Sequence, residues 1–207
     1  MKLVISSVLS TVLLVAAART AETWQDTPPP IKALFESGLY QDVVDRSQGE
    51  PAPEDLYLIA QAYLKQQNGD AAKQTLNRLA ERGENDPWAL VARSEHARID
   101  QNMDEALSLA QAAVGQAPPP PVSTYAFYQR GLVQSQRQDM AGAAESFENA
   151  ASIDPTFAYA HYYAGMANSQ LQRIDRVASH FETFLKLAPE APERAAVESI
   201  MRTVRGR

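Results

Sequence analysis

The sequence predicts an all-α fold, an array of antiparallel helix pairs ended by a C-terminal capping helix. Three observations carry this. Small side chains recur in columns: Ala60, Ser94, Gly131 and Gly165 are separated by 34, 37 and 34 residues. Ala72, Ala106, Ala143 and Val177 keep the same intervals, as do Leu76, Ala110, Phe147 and Phe181, and Leu79, Ala113, Ala150 and Phe184. The long interval has a visible cause, the proline run at 118–121, which adds three residues. A fixed period near 34 marks a supersecondary unit that cannot bury its apolar face alone and must stack. Second, the apolar spacing is helical: Ala143, Phe147, Ala150 and Ala151 recur at three and four residues, the stripe of a half-buried helix. Third, the punctuation suits paired helices. Asn68-Gly69-Asp70 and Gln101-Asn102-Met103-Asp104 read as turns inside pairs. Asp86-Pro87-Trp88 reads as an N-cap followed by proline at the first helical position.

The elements follow in order. Lys2, an apolar run over 3–15 and Ala16-Ala17-Ala18 form a charged start, an apolar middle and a small-residue cleavage site. Residues 1–18 are therefore expected to be a signal peptide, with a mature chain beginning near Arg19. The apolar run is short for a membrane span, so no span is expected after cleavage; a retained anchor is the alternative. Residues 19–30 end in Asp26-Thr27-Pro28-Pro29-Pro30 and read as an extended linker. Residues 31–48 suggest a degenerate helical hairpin with a turn at Ser37-Gly38. Four repeats follow over about 53–86, 87–120, 124–157 and 158–190, so the array spans 31–190. The tail, 191–207, carries Ala195, Val197, Ile200, Met201 and Val204 on an amphipathic spacing and suits a capping helix.

The spacing inside each unit resembles the tetratricopeptide repeat. That family sets a small residue in a first helix, alanine in a second, a large apolar residue four further on, and proline at the exit. Gly131, Ala143, Phe147, Ala150 and Ile153-Asp154-Pro155 match it well. Gly165, Phe181, Leu185 and Pro189 match with Val177 in the alanine place; Ser94, Ala106, Ala110 and Pro118 match less closely. The first unit has Ala60, Tyr63, Ala72 and Leu76 but Glu84 in the proline place, and Arg93 and Arg130 stand where leucine is usual. The resemblance implies a right-handed superhelical tetratricopeptide-type solenoid that binds protein.

Composition bounds the function. The chain has 207 residues, 45% hydrophobic, enough for one continuous core. A net charge of −6 without a basic cluster argues against nucleic acid. With no cysteine there is neither a disulfide nor a lipidated cysteine, so an exported form would be held by packing alone. A periplasmic or secreted bacterial protein is the expectation. His96, His161 and His180 are not paired at ligand spacing on one helix, and His161 shares a column with Leu56, Leu90 and Phe127, which marks it as an interior residue. No phosphate loop, nucleophile elbow or thiol nucleophile is present, and Glu145, Glu148 and Glu182 read as solvated helix residues. The expectation is a non-enzymatic protein with no catalytic residue, metal or cofactor.

The family resemblance assigns a second face of each first helix to a concave groove. Tyr57, Trp88, Val91, Arg98, Tyr125, Tyr128, Leu132, Tyr159, Tyr162 and Met166 fall on it. These include five of the eight tyrosines and one of the two tryptophans, a composition favoured at binding hot spots. The competing reading makes the same rings part of the packed floor. Some relatives hold a chain-end carboxylate with a Lys/Asn/Arg set, of which only Arg98 is present. The expected partner is thus an apolar or aromatic-bearing protein segment, extended or helical. Self-association through the groove or cap, as part of an envelope assembly, and an accessory role in an enzyme complex are the alternatives.

Overall fold

The computed structural model describes residues 28–206. The expected signal peptide, the linker as far as Thr27, and Arg207 lie outside the described residues. Among the described residues there are eleven helices and no strand. A short hairpin, α1 (Ile31–Glu36) and α2 (Tyr40–Val44), precedes four long pairs. These are α3 (Pro53–Lys65) with α4 (Gly69–Ala80), and α5 (Pro87–Ile99) with α6 (Met103–Gly115). The next are α7 (Val122–Gln136) with α8 (Met140–Ile153), and α9 (Ala158–Gln170) with α10 (Ile174–Leu187). From α3 to α10 each helix packs on the next in the chain, which makes a solenoid, and α11 (Arg194–Arg205) packs on α10 as its cap.

The turn inside each pair is built identically. Gln67, Gln101, Gln138 and Gln172 adopt left-handed φ values of 62°, 64°, 64° and 57°. The N–H of the following residue reaches back to close the helix end: Asn68 to the Tyr63 carbonyl, Asn102 to Ala97, Asp139 to Gln134 and Arg173 to Asn168, at 2.8–3.0 Å. This is the Schellman ending, which satisfies carbonyls that a helix end leaves bare. Asn68 and Asp139 then cap the next helix by accepting from the Ala71 and Gly142 N–H groups. Asp86 caps α5 through the Trp88 and Ala89 N–H groups.

The small-residue column is where paired helices meet a large ring. A methyl carbon at Gly131 would lie 2.7 Å from Cε1 of Phe147, and one at Gly165 would run into Phe181. The departures from the repeat pattern are compensated locally. The guanidinium of Arg93 donates to the carbonyls of Glu84 and Ala80, tying down the segment that lacks the exit proline. Arg130 stacks 4.9 Å over the Phe127 ring and donates to the Ser146 hydroxyl. Lys73–Asp100 and Arg137–Asp104 pair neighbouring units at the surface.

The inner helices α3, α5, α7 and α9 do not enclose an open hollow. Tyr57 on α3 lies ring to ring with Tyr125 on α7 at 5.3 Å, and its hydroxyl donates to Gln129 Oε1 at 2.8 Å. Lys65 at the end of α3 reaches Glu193 ahead of α11 at 2.8 Å. The α1–α2 hairpin completes the closure from the first unit to the last. Lys32 pairs with Asp154 at 2.6 Å, and Glu36 accepts from the Ala158 N–H at 2.7 Å. The Phe35 ring lies 5.1 Å from Tyr159, whose hydroxyl meets that of Tyr40 at 3.1 Å. One continuous core therefore runs from α1 to α9, and a second fills the space between α9 and α11.

Candidate functional site

The closure decides what the expected groove residues do. Tyr57, Trp88, Val91, Tyr125, Tyr128 and Tyr159 are all buried; they form interior, not an open face. Their rings make one line: Trp88 to Tyr125 at 5.4 Å, Tyr125 to Phe157 at 5.3 Å, Phe157 to Tyr128 at 5.0 Å, and Tyr128 to Tyr163 at 5.7 Å. Such tilted ring contacts add to area burial in holding a core. Burial pushes the hydroxyls of Tyr57, Tyr125 and Tyr128 well above the ordinary tyrosine range. The physical cause is contact between α3 and α7 together with the returning α1–α2 hairpin.

Four of the expected residues remain half-exposed: Arg98, Leu132, Tyr162 and Met166. They lie further along the inner helices than the buried rings, beside Tyr163 and Leu64, which are also half-exposed. Tyr162 and Met166 sit one turn apart on α9 and rest on the second core. Burial raises the Tyr163 hydroxyl, while Lys65 and Arg98 both act on it from the positive side. These two cations are already paired, Lys65 with Glu193 and Arg98 with Glu95. The strip therefore offers apolar side chains and ring edges with little uncompensated charge.

Beneath Arg98 lies a polar network inside the core. Glu95, with no exposed surface, accepts two bonds from Arg98 at 2.6 and 2.7 Å. Gln61 and Gln129 donate to it at 2.8 Å each. Burial alone would raise the Glu95 carboxyl, but Arg98 and the two amides outweigh it and hold the group ionised, below its usual value. Gln61 and Glu95 stand one repeat of 34 residues apart, whereas Gln129 lies three residues before the matching place in the third unit, where the interval is 37, so the columns did not single it out. The network ties three consecutive units together.

His161 is half-buried and not interior, which corrects the expectation from its column. Its Nδ1 lies 3.2 Å from Nδ1 of His180, across the α9–α10 contact. Its Nε2 lies 3.2 Å from the Pro155 carbonyl, which can only accept, so Nε2 carries the proton. Burial lowers both imidazoles below 6.5, and for His180 the neighbouring His161 lowers it further. Glu148 is not simply solvated either: it accepts from Asn168 and Arg176 and stands 3.9 Å from His180. Spacing along one helix does not reveal the pair, because the two rings belong to different helices. No group of three or more histidines, cysteines or carboxylates among the described residues is placed to hold a metal ion. No helix among them is long and apolar enough to cross a membrane.

Residues 124–157, which hold α7 from Thr124 onward and all of α8, match the family described as Tetratricopeptide repeat. That hairpin is similar to a tetratricopeptide repeat. The tetratricopeptide-type solenoid is also the fold of a thermophilic repeat protein from Thermus thermophilus, with a TM-score of 0.53 at 19% identity over 85% of this chain and 89% of that one. A crystal structure of MamA aligns with a TM-score of 0.48 at 20% identity, over 74% of this chain and 88% of that chain. No curated protein matches the chain.

Proposed function

We propose that the protein is a non-enzymatic interaction scaffold. It takes an apolar or aromatic-bearing protein segment on the strip formed by Leu132, Tyr162 and Met166, with Arg98 beside it. The supporting observation is that this strip alone, of the expected groove, keeps exposed apolar surface after the rest has closed into core. A partner segment laid there would cover Tyr162 and Met166 and find the neighbouring charges already neutralised. The tetratricopeptide-type fold supports this role, since such arrays present extended inner surfaces to partners. We place the scaffold in the bacterial envelope, on the charged start, apolar run and alanine site at the N-terminus.

Site-specific photocrosslinking in the native cells tests the strip. A crosslinker at Leu132 or Met166 is expected to trap one protein that a crosslinker at exposed Glu145 does not. Adducts from Glu145 alone would overturn the assignment. N-terminal sequencing of the native protein tests the location: a start near Arg19 is expected, and an intact Met1 would contradict cleavage.

A further inference from the structure

The two histidines that meet across α9 and α10 are one proton short. Three contacts run through them in series. His161 Nε2 faces the Pro155 carbonyl at 3.2 Å, the two Nδ1 atoms face each other at 3.2 Å, and His180 Nε2 faces Glu148 Oε1 at 3.9 Å. The carbonyl and the carboxylate only accept, so both Nε2 atoms are best placed as donors. A neutral imidazole carries a single N–H. With both protons on the Nε2 side, two bare lone pairs confront each other across 3.2 Å. Moving the His180 proton to Nδ1 relieves that contact but turns a bare Nε2 toward the carboxylate. A cation between the two Nδ1 atoms satisfies all three contacts together.

The contact has the dimensions of a chelate. Zinc binds imidazole nitrogen at about 2.0–2.1 Å in a tetrahedron. Nitrogens 3.2 Å apart at those bond lengths subtend about 100–106° at the metal. The outer contacts also suit ligating histidines, whose second nitrogen donates to a backbone carbonyl or a carboxylate and so fixes ring and tautomer. Pro155 serves His161 in this way, and Glu148 stands on the far side of His180. Glu148 is itself held in place, accepting from Asn168 and Arg176. Solvent reaches the pair, because His180 lines a cleft of about 390 Å³ together with Glu148, Asp175, Arg176 and Ser179, and its side chain is 16% exposed.

We propose that His161 and His180 form a two-imidazole site for a divalent late first-row metal ion, zinc by its geometry, seated between the two Nδ1 atoms in place of a shared proton and completed by water. Imidazole suits zinc, copper and nickel, whereas magnesium and calcium prefer oxygen. Structural zinc sites use four protein ligands; with two, this site exchanges its ion with solution. The bound ion fastens α9 to α10 beside the second core. The inference does not rest on the partner strip assigned above.

The chain has three histidines and no cysteine, so each soft ligand can be removed in turn. Isothermal titration of the untagged full chain with Zn²⁺ is expected to give one ion per chain. His161→Gln and His180→Gln are each expected to weaken binding by more than about tenfold, since loss of an outer partner alone costs about 10–100-fold. His96→Gln, on α5, is expected to leave the affinity unchanged. With Cu²⁺ in the same site, electron paramagnetic resonance is expected to show nitrogen coupling from two imidazoles in the unmodified protein and from no more than one in either pair variant. That signature is read on the unmodified chain, so it stands even where a variant folds poorly, and far-UV circular dichroism reports the fold of each variant. A protein that binds no Zn²⁺, or that keeps its affinity in folded His161→Gln or His180→Gln, would overturn the proposal and leave a shared proton as the cation of the pair.

Discussion

Replacing Gly131 by alanine adds a methyl carbon at 2.7, 2.8 and 2.9 Å from three carbons of the Phe147 ring. Carbon atoms pack best at about 3.5–4.0 Å, so either the ring or α7 must yield by about 1 Å. Phe147 has little room to do so. It is 1% exposed and lies between Tyr163 at 5.3 Å and Tyr128 at 5.8 Å. Overpacking of this kind costs about 1–3 kcal/mol, and the better helix propensity of alanine offsets about 1 kcal/mol of it. The expected net loss is up to about 2 kcal/mol, or up to about 8 °C in Tm for a domain of this size. Gly115→Ala is the matched control, because nothing lies within 4 Å of the methyl position in the last turn of α6. It is expected to leave Tm unchanged or raise it, by no more than about 1 kcal/mol. Thermal unfolding followed by far-UV circular dichroism reads both. If Gly131→Ala melts as high as Gly115→Ala, or both variants fall together, the close approach of α7 and α8 is not what sets the small-residue column.

Glu95→Ala should cost about 3 kcal/mol, since it leaves Arg98, Gln61 and Gln129 without their shared acceptor; denaturant unfolding measures it. The Glu95 carboxyl is depressed in the fold, so its contribution is present above 4.5 and is lost as pH falls through the folded value; Glu95→Ala should flatten the acid limb of the stability curve. His161 and His180 sit below 6.5 in the fold, so the unfolded chain takes up protons first and stability falls as pH drops through 6.5. His180→Asn should remove part of that fall, which unfolding at pH 5.5 and 7.5 checks. Gln138→Gly should leave stability equal or raise it by about 0.5–1 kcal/mol, because residue 138 holds φ 64°, where glycine has no steric penalty; a lower Tm would show that the Gln138 side chain contributes something the turn geometry does not reveal.

The repeat columns made the helix pairing legible because they record local contacts. Gly131 against Phe147 and Gly165 against Phe181 are pairs sixteen residues apart, written within one unit. The left-handed turns were written just as regularly, at Gln67, Gln101, Gln138 and Gln172. They passed unread because glutamine is not a residue that marks this conformation. Which face of α3, α5, α7 and α9 points inward was also legible, and the residues expected there do lie on the inner side. Whether that side stays open was not. Its closure depends on contacts such as Tyr57 with Gln129 and Lys32 with Asp154, which join residues 72 and 122 positions apart. No local spacing encodes those. The six rings and aliphatic groups near the helix starts thus became core, while Leu132, Tyr162 and Met166 further along kept exposed surface.

Chemical footprinting of tyrosine rings in the native protein, by nitration read out by peptide mass spectrometry, tests the closed inner side most directly. Tyr162 is half-exposed and should react, whereas Tyr57, Tyr125, Tyr128 and Tyr159 are at most 3% exposed and should be protected until the protein is unfolded. Reaction of Tyr57, Tyr125 and Tyr128 in the folded protein at the rate of Tyr162 would contradict the account and restore an open aromatic groove.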